Sequence, residues 1–280
     1  MHVFVTGASG FIGRAVVAEL LASGHEVTGL ARSPESASVV TGLGARVHRG
    51  HLDDLDSIRA GARGSNRAER AAVATIADAL AGSDRPFVLA SGLALPALGR
   101  AATERDINPA VGPDAPRGGS ENLALGYAEN GVRVVSVRFA PTVHGEGDHG
   151  FVAVVARTAR ERGAAVYPGD GRNRWAAVHR LDAARLVRLG LEKATAGTIL
   201  HAVAEEGVPV RRIVEALAER LAVPATSVTA AELAAQIPFI GGVLGADMAA
   251  DSTITRELLD WRPAGATLLE DIAAGHYDQP

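Results

Sequence analysis

Four apolar or β-branched residues, Val3, Phe4, Val5 and Thr6, run into glycines at positions 7, 10 and 13, and apolar residues at helical spacing follow through Leu21. This pattern predicts a strand, a tight turn and a helix over roughly Phe11 to Ser23, closed by Gly24. HEVTGLAR predicts a second strand ending at Arg32. A short helix from Pro34 to Thr41 and the strand ARVHRG follow. Farther on, a helix over Arg67 to Ala81 precedes the strand FVLASG, and a helix over Ser120 to Asn130 precedes the strand VRVVSVRF. Strands alternating with helices in this way predict an α/β fold with a doubly wound parallel sheet.

Beyond Ala140 the pattern changes. A helix from Phe151 to Arg162, the short strand AAVYPG, the loop GDGRNRW and a helix within VHRLDAARLVRLGLEKA precede GTILHAVA, the last sheet strand that the pattern supports. Residues 206 to 280 read as mostly helical, with PVRRIVEALAERL the clearest amphipathic stretch. The run PFIGGVLG (238 to 245) is apolar but short and broken by glycine, so it reads as a loop or lid over a pocket. The expected division is a core over residues 1–140 and a smaller, mostly helical region over 141–280, interleaved with the last strands of the core.

One element is missing from the alternation. From Gly61 to Arg70 the chain reads GARGSNRAER, where a doubly wound sheet needs another apolar strand, and no four consecutive apolar residues occur there. Either the chain lacks a strand-bearing segment after about Gly64, or the sheet is built with one strand fewer. The first account is favoured, because losing a central parallel strand leaves its neighbours unpaired.

Composition narrows the function class. The chain has 280 residues, 47% of them hydrophobic, a formal charge of −4 and no cysteine. That is ample for a sizeable core and argues against disorder. Arginines are scattered, which leaves no footprint for nucleic acid or an anionic membrane and makes a small molecule the expected partner. The lack of cysteine excludes disulfides, thiolate metal sites and a cysteine nucleophile. No charged leader and no apolar run of membrane-spanning length is seen, so a cytoplasmic protein is expected. The histidines and acids show no metal-ligand spacing, and no metal is expected.

The glycine turn carries the first chemical reading. Gly7 lets the chain leave the strand, Gly10 lets backbone amides approach a pyrophosphate, and Gly13 lets helix and strand pack closely. Ser9, Phe11 and Ile12 complete the turn at the positive end of the helix, where an anion is favoured. At the end of the second strand, Arg32 and Ser33 stand where an acidic residue would hold a ribose hydroxyl. A guanidinium there suits a 2′-phosphate, which points to NADP, with NAD possible.

TGASGFIG, RFAPTVHGEG and GDGRNRWAAVHRLDAA resemble segments of the extended short-chain dehydrogenases/reductases, the NAD-dependent epimerase/dehydratase group. The resemblance implies a Rossmann fold. It places His51 and Leu52 along the adenine, with His51 where an aspartate is usual, and Ala140 and Pro141 beneath the nicotinamide. It implies a homodimer through the helices over 67–81 and 117–130. It also implies a serine after FVLASG and a YxxxK pair, and here the chain departs from the pattern. None of Tyr127, Tyr167 and Tyr277 is followed four residues later by lysine. Arg117 and Glu121 stand at the Tyr and Lys positions, and Ser91 is one step before the Ser position.

Four residues are therefore candidates for substrate chemistry. Ser91 lines the nicotinamide pocket or satisfies backbone at a strand end. Arg117 binds a carboxylate or polarises a carbonyl, and Glu121 acts as acid or base or pairs with Arg117 one turn back. His144 is a candidate proton donor. His149 is read as a solvated or bracing residue, His179 and Asp182 as organisers of backbone, and Arg174 and Trp175 as pocket wall. The expected function is an NADP-dependent oxidoreductase acting on a small carbonyl, imine or alkene. The alternatives are a catalytically silent NAD(P)-binding sensor and, less favoured, a sugar-nucleotide epimerase or dehydratase.

Overall fold

The computed structural model describes residues 1–50, 62–93, 99–236 and 240–278. Its first half alternates strands and helices as the apolar pattern predicts: β1 (His2–Val5), α1 (Phe11–Ala22), β2 (Glu26–Ala31), α2 (Pro34–Gly42) and β3 (Arg46–Arg49). α3 (Ala62–Leu80), β4 (Pro86–Gly92), α4 (Ser120–Gly126) and β5 (Arg133–Phe139) follow. The second half holds β6 (Thr142–His144), α5 (Phe151–Arg162), β7 (Ala165–Pro168), β8 (Arg174–His179), α6 (Arg180–Lys193), β9 (Thr198–Ala202) and β10 (Glu205–Pro209). It closes with α7 (Val210–Leu221), β11 (Ala225–Val228), α8 (Ala230–Gln236), α9 (Ile240–Leu244), α10 (Thr253–Leu259) and α11 (Leu268–Ala273).

The parallel sheet is in two halves. β2 pairs in parallel with β1 and β3, and β5 pairs in parallel with β4 and β9. Among the described residues no strand joins β1 to β4, and the two do not lie side by side. The window without a strand pattern is the start of α3, five residues ahead of the expected helix, as its alanine, arginine and glutamate content favours. What spans the two half-sheets is a helix layer. α1 packs on α6, and Val17, Leu20, Ala184 and Leu191 form one apolar cluster into which Val3, Val5 and Val88 point.

The carboxy-terminal region carries more strand than expected. β6, β8 and β10 form a three-stranded sheet and β7 pairs with β11, so GTILHAVA is not the last strand. β10 is short and polar (EEGVP) and β11 (ATSV) is largely exposed, so neither shows an apolar alternation. The proposed lid over 238–245 is corrected in part. Residues 237–239 lie outside the described ones, but Ile240–Leu244 is helical and Leu244 is buried in the cluster of Ile213, Leu217 and Leu233. Gly241 packs directly on the Leu233 backbone, which no side chain would permit. The helix over 120–130 is α4 followed by a 3-10 turn, Tyr127–Asn130, which Gly131 ends at φ 73°. Among the described residues, no helix is long and apolar enough to cross a membrane.

Candidate functional site

The glycine turn is built as an anion cradle. Gly7 sits at φ 66°, its carbonyl accepts from the Gly10 amide at 2.9 Å, and Gly10 caps α1 with no side chain hydrogen-bonded to the helix end. The amides of the first turn are thus left to an external acceptor. Arg14 Nε donates to the Ser9 carbonyl at 2.7 Å, which fixes the outer limb of the turn. A Cβ on Gly13 would overlap the Gly7 carbonyl oxygen, so the close helix-to-turn approach exists only because Gly13 has no side chain. Ala8 is buried, and Ser9, Phe11 and Ile12 are half-buried around the cradle. These features fit a bound pyrophosphate.

At the adenosine end, Arg32 is exposed and has no hydrogen-bond or ion-pair partner among the described residues. Ser33 is committed otherwise than expected. Its hydroxyl accepts from the Ser36 amide at 3.2 Å and its amide donates to Ser36 Oγ at 3.0 Å, a capping box on α2. Arg49, which the sequence reading passed over, closes β3 directly opposite Ala31 and is exposed. Its signal was available: a second arginine at the end of the neighbouring strand. His51 and Leu52 lie outside the described residues.

The expected Arg117 and Glu121 pair does not form. Arg117 stands at φ 52°, ahead of α4, and its guanidinium pairs with Glu69 of α3 at 2.9 Å and donates to the Ala90 carbonyl at 3.1 Å. Glu121 turns inward instead, to Arg138 of β5. Arg138 Nε and Nη2 reach its two oxygens at 2.8 and 3.1 Å, and Ser136 Oγ donates at 2.6 Å. Asn108 Nδ2 adds a fourth bond at 3.1 Å. Burial pushes the Glu121 carboxyl up, but the bonds from Arg138 and Ser136 and the Arg138 charge more than offset it and hold the group below its ordinary value. Glu121 is a buried, fully engaged anion with the bonding of a structural group. Ser91, next to last in β4, is in register with Arg138 and is buried. Ala140 is buried and Pro141 half-buried just after β5.

His144 is fully buried. Its Nδ1 lies 2.6 Å from Asp271 Oδ2 on α11, its Nε2 has no hydrogen-bond partner and stands 3.8 Å from Glu205, and its ring meets that of His179 edge-on at 5.6 Å. Asp271 is also 3.3 Å from His276 Nδ1. His179 caps α6, and Asp182 accepts from the amides of Ala264 and Gly265, as backbone organisers do. Asp148 accepts from the Gly150 amide at 2.7 Å and from the Tyr277 hydroxyl at 2.8 Å; burial raises its pKa. His149, exposed, meets Phe11 edge-on at 5.8 Å, and the Arg180 guanidinium lies over the same ring. The loop after β6 is thereby tied both to the glycine turn and to the end of the chain. Trp175 is buried in the core and Arg174 pairs with Asp247 at 2.9 Å, so the expected pocket wall is core and ion pair.

Burial lowers the pKa of both His179 and His201 below the ordinary imidazole value. The unfolded chain takes up these protons from pH of about 6.5 downward, whereas the folded chain resists them. Stability is therefore expected to be full above that pH and to fall as pH drops through the folded values. Calorimetry from pH 8 to 5 should show a falling Tm before carboxylates titrate; a flat Tm over that range would contradict the assignment.

The sequence profile of the NAD dependent epimerase/dehydratase family matches residues 3–77. A Schizosaccharomyces pombe protein without an assigned function is 38% identical over 296 aligned positions, covering 99% of this chain and 100% of the relative. The chain belongs to the NAD-dependent epimerase/dehydratase family. Over 28% of the chain and 24% of its own length, a Stigmatella aurantiaca 4-hydroxy-2-methyl-3-oxo-4-farnesyl-3,4-dihydroquinoline-1-oxide ketoreductase is 39% identical. The Bacillus anthracis dTDP-glucose 4,6-dehydratase in complex with NAD superposes with a TM-score of 0.72 at 16% identity, over 99% of this chain and 96% of that one. That likeness establishes the shared fold, a mixed α/β architecture with parallel strands. In this family member all three tyrosines are engaged elsewhere: Tyr127 with Asp78, Tyr167 beneath Arg211, and Tyr277 with Asp148.

Proposed function

We propose that this family member is an NADP-dependent oxidoreductase acting on a small carbonyl, imine or alkene. The observation that carries the reading is the open helix end at Gly10, without a side-chain cap, beside a glycine turn, with Arg32, unpartnered among the described residues, just past the next strand. The backbone of Gly7 to Gly13 would hold the pyrophosphate and Arg32 the 2′-phosphate. Ser91, Ala140 and Pro141 would line the nicotinamide side. The cofactor, when bound, supplies or accepts the hydride. Ser91 is the hydroxyl placed at that strand end to orient a substrate oxygen. A homodimer through α3 and α4 belongs to the same reading.

The second reading, an NAD(P)-binding sensor without turnover, draws on the bonding of Arg117 to Glu69 and the Ala90 carbonyl, of Glu121 to Arg138 and Ser136, and of His144 Nδ1 to Asp271. The ketoreductase relative favours the first reading and the sugar-nucleotide dehydratase neighbour a third, with a nucleotide sugar as substrate. NADPH binding followed by fluorescence, and absorbance loss with a panel of ketones, enones, imines and nucleotide sugars, separates them. Arg32→Glu should weaken NADPH by about tenfold or more and leave NADH nearly unchanged, the cost of losing a charge-assisted phosphate contact. Equal affinity of the wild type for the two cofactors would sink the NADP assignment.

A further inference from the structure

We infer that Arg180 is a side-chain anchor, reaching in from α6, for the pyrophosphate at the glycine turn. The inference rests on the dinucleotide part of the proposed function and not on NADP or on turnover. α1 and α6 lie side by side and run the same way, as three contacts at nearly constant spacing show. The Arg180 guanidinium lies 5.2 Å from the centroid of the Phe11 ring, Arg188 Nε donates to Glu19 at 2.7 Å, and Glu192 meets His25, just past α1, at 2.8 Å. Both helices therefore begin at the same end. Phe11 and Arg180 are the first residues of their helices, so the guanidinium stands at the end of α1 where Gly10 offers no side-chain cap.

The guanidinium is held but not satisfied. Gly145, at φ 138°, brings its backbone so near that a Cβ there would stand 3.2 Å from Arg180 Cγ, and Arg180 Nη1 donates to the Glu146 carbonyl at 2.6 Å. The stem and one nitrogen are thereby fixed. Nε and Nη2 have no hydrogen-bond partner among the described residues, and Nε is buried. In Arg138 and Arg174 the same Nε and Nη2 edge takes both oxygens of a carboxylate, from Glu121 and Asp247. At Arg180 that edge carries nothing. A fixed guanidinium with an empty fork suits an oxyanion that offers two oxygens on one centre, and beside open backbone amides at a helix start that oxyanion is a phosphate. A role confined to bracing Phe11 would leave the buried donor without an acceptor, which is costly.

Isothermal titration calorimetry of the intact protein with NADPH, NADH and ADP-ribose, which carries the pyrophosphate without the nicotinamide, tests the assignment. Arg180→Met keeps an apolar stem over Phe11 and removes the charge. It should weaken all three ligands by about tenfold or more, flatten the salt dependence of ADP-ribose binding, and leave the ratio of NADPH to NADH affinity as in the wild type. Arg180→Lys, which keeps a point charge without the fork, should recover part of the affinity and the salt dependence. Unchanged ADP-ribose affinity in Arg180→Met would overturn the anchor. So would a loss of affinity with unaltered salt dependence, or a loss that Arg180→Lys does nothing to recover, because a bracing role alone predicts both. A wild type that binds NADH as tightly as NADPH removes the NADP assignment and leaves the anchor standing when ADP-ribose binding falls as expected. A wild type that binds none of the three ligands overturns the anchor together with the dinucleotide reading.

Discussion

Gly13→Ala is expected to lower Tm by about 5–10 °C and to abolish measurable dinucleotide binding, whereas Gly10→Ala should leave Tm nearly unchanged and weaken binding alone. In an exposed helix interior, glycine to alanine gains about 1 kcal/mol. At position 13 that gain is outweighed. The new methyl would overlap the Gly7 carbonyl oxygen and lie 2.8 Å from the Gly7 carbonyl carbon and 3.1 Å from Ala8 Cα, all backbone atoms that cannot swing aside. Overpacking costs on the order of 1–3 kcal/mol, or more where backbone must move, and a chain of this size shifts by about 2–4 °C per kcal/mol. To relieve the overlap the turn must open, and the amides aimed at the pyrophosphate leave their positions. At position 10 a methyl meets only the Gly7 carbonyl oxygen, at 3.3 Å, which a slight shift accommodates, so the fold survives while the approach of the phosphate is obstructed. Thermal melts and NADPH titration of the two variants separate the packing role from the binding role. Equal Tm losses would refute the distinction.

The contrast between those glycines also shows which parts of the molecule a sequence can announce. The turn around Gly7 is local, since the Gly10 amide, the Arg14 side chain and the close approach of Gly13 all lie within about ten residues of it, and the apolar spacing states the strand and helix on either side. The same holds for the ends of β2 and β3, where Arg32 and Arg49 take their places from register alone. The partners of Arg117, Glu121 and His144 were not legible for the opposite reason. Glu121 had a nearby arginine at helical spacing, yet Arg138, seventeen residues on and inside the sheet, offers a desolvated two-pronged partner that an exposed arginine cannot match. Arg117 found Glu69 forty-eight residues back. His144 found Asp271 at a separation of 127 residues, through a helix whose docking no local pattern reveals. The want of a strand pattern in GARGSNRAER stood out because a parallel sheet imposes a global requirement on composition, and among the described residues no strand joins β1 to β4. Its consequence, two half-sheets held together by α1 and α6, needed the coordinates.

Glu121→Ala should be the most damaging single change in the buried network, and it should act on stability before any chemistry. The carboxylate and the Arg138 guanidinium are both almost fully buried, at 3% and 1% side-chain exposure. Removing one partner strands the other charge in the core, which costs about 3–5 kcal/mol, or a fall in Tm on the order of 10 °C. Ser136 and Asn108 lose their acceptor at the same time. Arg138 also donates from Nη1 to the Asp106 carbonyl at 2.8 Å, so the segment around Asp106 and Asn108 is expected to loosen with it. The double variant Glu121→Leu with Arg138→Met removes both charges at similar volume and should recover most of the loss, so the two changes are strongly non-additive. A catalytic acid or base would behave otherwise: the double variant would be as inactive as the single one, whatever its Tm. Denaturant melts of the two single variants and the double one, read beside NADPH binding, decide it. If the double variant is no more stable than the singles, the buried pair is not the unit the geometry indicates; if stability returns but NADPH binding does not, Glu121 contributes to the site as well as to the fold.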